Sequence, residues 1–241
     1  GRRPWTAIAA GGRERWAAGL CWAVMFTAFM VALTLTTVAN VLVTMALGPM
    51  VTALVARAFL RQRLPASTWV AITAAGAGIA WMFGSEALAG ASLRGSLVAC
   101  AVPLAGAVNW TILQRAGQAG AGAPDLLPAV LLGALLSAAV TLPLAWPLQA
   151  TAHDIGLLAL LGAVQLAAPC LLVVALSRVL PAAEIALLAL LEVIFGVAWA
   201  WLGAGEQPSA SVLAGGTLVI AALAANAAWS LRAGRLPGAV A

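Results

Sequence analysis

Few side chains in this sequence are equipped for chemistry, and most of those sit inside long apolar runs. Glu192 lies in the middle of the stretch 181–203, and Glu184 stands eight residues earlier, about 12 Å along a helix. If these runs cross a bilayer, a charge there costs roughly 2.5–3.5 kcal/mol on insertion scales, which marks each ionisable group as a functional candidate. Glu192 could line a cavity and take up a proton or an amine; the alternative is a carboxyl bonded to a neighbouring helix. Glu184 falls in the first turn after Pro181, where the helix dipole favours an acid, and a structural role is the stronger reading.

Asn109 with Trp110, and Gln165, are the other deep polar groups. An amide and an indole can recognise a solute that is part polar and part apolar, or can simply tie helices together. Asn40 and Thr44 complete the set of substrate-path candidates, although threonines such as Thr34, Thr36, Thr37 and Thr44 commonly bond back to their own helix. Pro49 and Pro169 interrupt apolar runs and are the hinge candidates, since each removes a backbone hydrogen bond.

The missing chemistry is as informative. All twelve basic residues are arginine, so there is no Walker lysine and no Schiff-base lysine. Cys21, Cys100 and Cys170 lie far apart in apolar runs, and His153 is the single histidine, which predicts no metal site and no cofactor. Neither a zinc-protease nor a nucleophile-elbow motif occurs, so an enzyme embedded in the membrane is disfavoured. Asn109-Trp110-Thr111 reads as a glycosylation sequon, but inside a span it cannot be modified.

These groups need elements to hold them. Of 241 residues, 64% are hydrophobic and 8% charged, against about 25% charged in an average soluble domain. That predicts an all-α integral membrane protein and excludes a soluble enzyme, a nucleic-acid binder and a disordered chain. Eight stretches reach the length that ~30 Å of hydrocarbon requires: 17–37, 39–60, 67–84, 95–114, 126–147, 156–177, 181–203 and 211–230. Alternating sides then receive eleven arginines and one, Arg94 being the exception, which predicts both termini of this chain in the cytoplasm. Trp5, Trp16, Trp69, Trp146 and Trp229 fall near the interfaces as belt anchors, while Trp22, Trp199 and Trp201 could face cavity or lipid.

A shift of 144 residues superimposes 36–83 on 180–227 without a gap. Five spans separate the copies, an odd number, so they cross in opposite senses, as inverted repeats of secondary transporters do. The same offset places partners for 95–147 ahead of residue 1, which predicts two further N-terminal helices and ten in the intact protein.

Leu35-Thr36-Thr37-Val38-Ala39-Asn40, Ala46-Leu47-Gly48-Pro49 and Arg61-Gln62-Arg63-Leu64 resemble the first repeat of the EamA-type drug/metabolite transporter superfamily. Leu180-Pro181-Ala182-Ala183-Glu184, Leu190-Leu191-Glu192-Val193 and Gly203-Ala204-Gly205-Glu206 are similar to its second. Gln62 stands where that family usually has a glutamate, and Val193 where a proline usually follows. The resemblance implies a first repeat over 1–91 lacking two helices, a second over 92–235, and a cytoplasmic tail at 236–241. It also implies a central cavity and movement of a small metabolite, amino acid or drug-like compound by alternating access. The expected partners are the bilayer, that solute and protons as a coupling ion; a homodimer is compatible. A GC-rich composition places the protein in a bacterial inner membrane. A non-transporting or truncated scaffold is the alternative.

Overall fold

A computed structural model describes residues 12–60, 65–88, 93–118, 125–176 and 195–232, and no strand occurs among them. The helices are α1 (Arg13–Leu35), α2 (Val38–Met45), α3 (Gly48–Leu60), α4 (Ala66–Leu88), α5 (Arg94–Ala99), α6 (Ala101–Gln118) and α7 (Leu127–Thr141). After them come α8 (Ala152–Leu160), α9 (Ala168–Leu176), α10 (Phe195–Ala204) and α11 (Ala210–Arg232). Apolar runs rich in alanine and leucine favour helix, and a backbone in hydrocarbon must satisfy its own hydrogen bonds, which a helix does.

Prolines set most of the breaks. Pro49 lacks the N–H that would continue the ladder, and the chain turns at Ala46–Leu47, where the Leu47 N–H reaches the Thr44 carbonyl at 3.2 Å. Pro103 does the same for α5 and α6, which part at Cys100. Before Pro169 the seven residues Leu161–Ala167 are wound as a π-helix, and the Ala168 N–H reaches back to the Ala163 carbonyl. Both hinge candidates, Pro49 and Pro169, thus lie at interruptions, and Pro103 adds a third that the sequence reading passed over.

Among the described residues, six helical stretches are long and apolar enough to cross a membrane: Arg13–Leu35, Val38–Phe59, Ala66–Ser85, Arg94–Leu113, Ala152–Ala175 and Ala210–Trp229. The expected span 126–147 is shorter than predicted. Its helix stops at Thr141, just before Pro143, and its 15 residues reach about 22 Å at 1.5 Å each. Of the expected span 181–203, the described residues hold only α10.

Packing joins these helices through three apolar clusters. Ala18, Trp22 and Phe26 of α1 meet Ala129 and Val130 of α7 and Val174 of α9. Leu42, Val43 and Met50 meet Ala75, Ile79 and Met82 of α4 and Val219 and Leu223 of α11. Ala32, Val41 and Ala99 join α1, α2 and α5. Helices α4 and α11 approach at glycines: a Cβ on Gly78 would meet the Gly215 carbonyl at 2.8 Å, and one on Gly215 the Gly78 carbonyl at 2.6 Å.

Contacts between helix termini sort the bundle into two ends. At one end Arg15 Nε donates to the Asp125 carbonyl (3.1 Å) and Arg115 Nη2 to the Phe59 carbonyl (3.2 Å). Thr68 Oγ1 donates to Asn226 Oδ1 (3.3 Å) at this same end. At the other end the Val38 N–H donates to the Glu206 carboxylate, and Gly95 lies against Thr36. Consecutive long apolar stretches therefore run in opposite senses. Arg13, Arg15, Arg57 and Arg115 all lie at or near the first end, and Arg94 lies at the second.

Candidate functional site

Five polar side chains are buried among the described residues: Asn40, Thr44, Ser96, Asn109 and Thr111. All five belong to two of the three interrupted stretches, α2–α3 and α5–α6. Helix α3 packs along α6, and α2 touches α5, so these stretches are neighbours. Among the described side chains, no other helix carries a buried polar one.

The polar groups form two places rather than one. Near the start of α2, the Thr37 hydroxyl accepts the Asn40 N–H (3.3 Å), and Asn40 Nδ2 donates to Thr36 Oγ1 (2.9 Å). Thr44 Oγ1 donates to the Asn40 carbonyl at 2.7 Å, so this candidate is turned onto its own helix. Glu206 reaches the same helix start from across the bundle, and both its oxygens accept the Val38 N–H, at 3.1 and 3.0 Å. The carboxylate faces the positive end of the helix dipole and satisfies a terminal N–H. Gly205 positions it: with φ at +68°, this residue takes the left-handed turn a glycine adopts without strain, and the Glu206 N–H closes onto the Ala200 carbonyl at 3.1 Å.

The second place is Asn109. It has no exposed surface, and neither Nδ2 nor Oδ1 has a hydrogen-bond partner. It lies fourteen residues beyond Gly95, which packs on Thr36, about 21 Å at helical rise, so Asn109 sits deeper along the bundle than the cap at Thr36–Asn40. Trp110, its neighbour, is half-buried, and its Nε1 would lie 4.0 Å from a Cβ on Gly106. Met25 Cε of α1 fills the same gap at 3.7 Å. Thr111 is satisfied locally, donating to the Ala107 carbonyl at 2.8 Å.

The structure thus groups Asn40 with Thr44, and Asn109 with Trp110, but no hydrogen bond joins the two pairs. Gln165 is exposed within the π-turn and meets neither pair. Glu184 and Glu192 lie outside the described residues. Trp22, left open between cavity and lipid, is core: it is 4% exposed and stacks on Phe26 at 5.4 Å. Glu206 was not among the sequence candidates. Its sequence signal was its place in the run Gly203-Ala204-Gly205-Glu206, at the turn that precedes the last span. No group of three or more His, Cys, Asp or Glu side chains that could hold a metal occurs among the described residues.

Comparison with known proteins finds no matching family model, no matching curated protein and no matching solved structure.

Proposed function

We propose that this chain is a secondary transporter of EamA type that moves a small metabolite, amino acid or drug-like compound by alternating access. The observation that carries the reading is where the buried polar groups lie: all five are on two of the three interrupted spans, and those two spans pack together. Polar groups at membrane depth are costly, and broken helices are tolerated there where they are buried in protein or line a path. Interrupted spans near the middle of a bundle are where carriers place their sites.

The reading includes an inverted repeat, which the helix lengths support. Helices α4 and α11 begin at Ala66 and Ala210, a shift of 144, and both are 23 residues long. They run antiparallel and in contact, as halves related by a two-fold axis in the membrane plane would. Eight spans, both termini on the arginine-rich side and a bacterial inner membrane complete the proposal.

The test is counterflow into proteoliposomes holding the full chain, with a metabolite extract outside and mass spectrometry of the lumen. A saturable, ATP-independent rise of at least one solute above empty vesicles is expected, lost on doubling Asn40→Leu with Asn109→Leu. If no solute accumulates, the carrier reading fails. Proton coupling is tested separately with Glu192→Gln: the pH dependence of flux should flatten, and an unchanged profile removes Glu192 from that role.

A further inference from the structure

Asn109 is the buried polar group whose chemistry the bundle leaves unanswered. Its amide is fully enclosed, yet both the donor and the acceptor are without partners. Leaving such a group buried and unsatisfied is costly, and an apolar helix former would serve packing better at this position. The other buried amide, Asn40, is held by Thr36, and Thr111 is held by Ala107. Ser96 Oγ also lacks a partner, but it offers one rotatable hydroxyl rather than a fixed pair.

We propose that Asn109 is the recognition residue for a ligand edge that sets one hydrogen-bond donor beside one acceptor, as in a primary carboxamide or a nucleobase edge. An asparagine amide is planar, with NH2 and C=O side by side, so it pairs in bidentate fashion with such an edge; asparagine reads adenine this way in DNA. A movable group packs one turn from Asn109. One turn before Asn109, Gly106 has no side chain, and the space beside it is taken by the methyl of Met25 and by Trp110 Nε1. A methionine has three rotatable bonds and can leave such a gap at low cost. Carboxylate ligands fit poorly, because they offer acceptors only and would leave the Oδ1 atom without a donor.

The inference rests on the transporter reading for its biological purpose, but its test needs no flux. Thermal unfolding of the detergent-solubilised full chain is compared for wild type and Asn109→Leu without ligand. The variant should melt at the same temperature or higher, since an orphaned amide is replaced by an apolar side chain of similar size. A lower midpoint would mean that the amide holds the bundle together, and would overturn the proposal. Binding is then read by scintillation proximity with radiolabelled nicotinamide, adenine and nicotinate. Wild type should retain nicotinamide, adenine or both, and not nicotinate, with affinity at least tenfold weaker in Asn109→Leu. Which of the two is retained identifies the carboxamide or the nucleobase as the source of the edge. Retention of neither, or equal binding by the variant, overturns the assignment. Binding without counterflow would count against the transporter and leave Asn109 as a ligand site.

Discussion

The contact between Glu206 and Val38 shows what a single side chain does in this bundle. Its two oxygens share one backbone N–H at the start of α2, a group that has no partner within its own helix. Glu206→Gln keeps an acceptor in place and should leave the melting temperature in detergent nearly unchanged. Glu206→Ala removes it, and a loss of about 1–3 kcal/mol is expected from the stranded N–H. An alanine variant as stable as wild type would show that lipid headgroups or water replace the carboxylate. Thr37→Val tests the neighbouring cap, with a cost of about 1 kcal/mol by the same measurement. Gln165 gives the opposite lesson: a polar side chain in an apolar run is not thereby inside the bundle, and here it stands exposed in a π-turn.

Helix α4 contains its own control at the scale of an element. Gly76 has open space where a Cβ would go, whereas Gly78, two residues on, lies against the Gly215 carbonyl at 2.8 Å. Gly76→Ala should therefore be neutral or stabilising by up to about 1 kcal/mol, from helix propensity alone. Gly78→Val should destabilise by roughly 1–3 kcal/mol, because the backbone of α11 cannot yield as a side chain can. Equal effects at the two positions, read by thermal unfolding, would mean that α4 and α11 do not pack in this register. Sequence patterning made most of the elements legible, since length and hydropathy suffice to mark an apolar span. It was poorer at where spans break: Pro49 and Pro169 were legible as missing N–H groups, but Pro103 lies in the middle of the apolar run 95–114, whose hydropathy carries straight across the break at Cys100. It could not place the polar candidates either, because hydropathy has no rotational phase when a helix is apolar all round. The separation of Asn40 from Asn109 follows from which helices meet, and only tertiary packing supplies that.

For the molecule as a whole, the alternation of helix ends gives a topology that can be checked directly. Single cysteines in place of Arg15, Arg57 and Arg115 should react with a membrane-impermeant maleimide from one side of the membrane. Those at Thr151 and Ser209 should react from the other, and the arginine-rich side should be the cytoplasm. A mixed pattern on either end would break the antiparallel order. That order also has a consequence in time. The acceptor for the Val38 N–H lies 168 residues further along the chain. At ordinary rates of synthesis, roughly ten to thirty seconds pass between the emergence of the two partners. For that interval α1 and α2 wait in the bilayer with the head of α2 unsealed, so the turn that leads into α11 is also the fastening of the hairpin that α1 and α2 form.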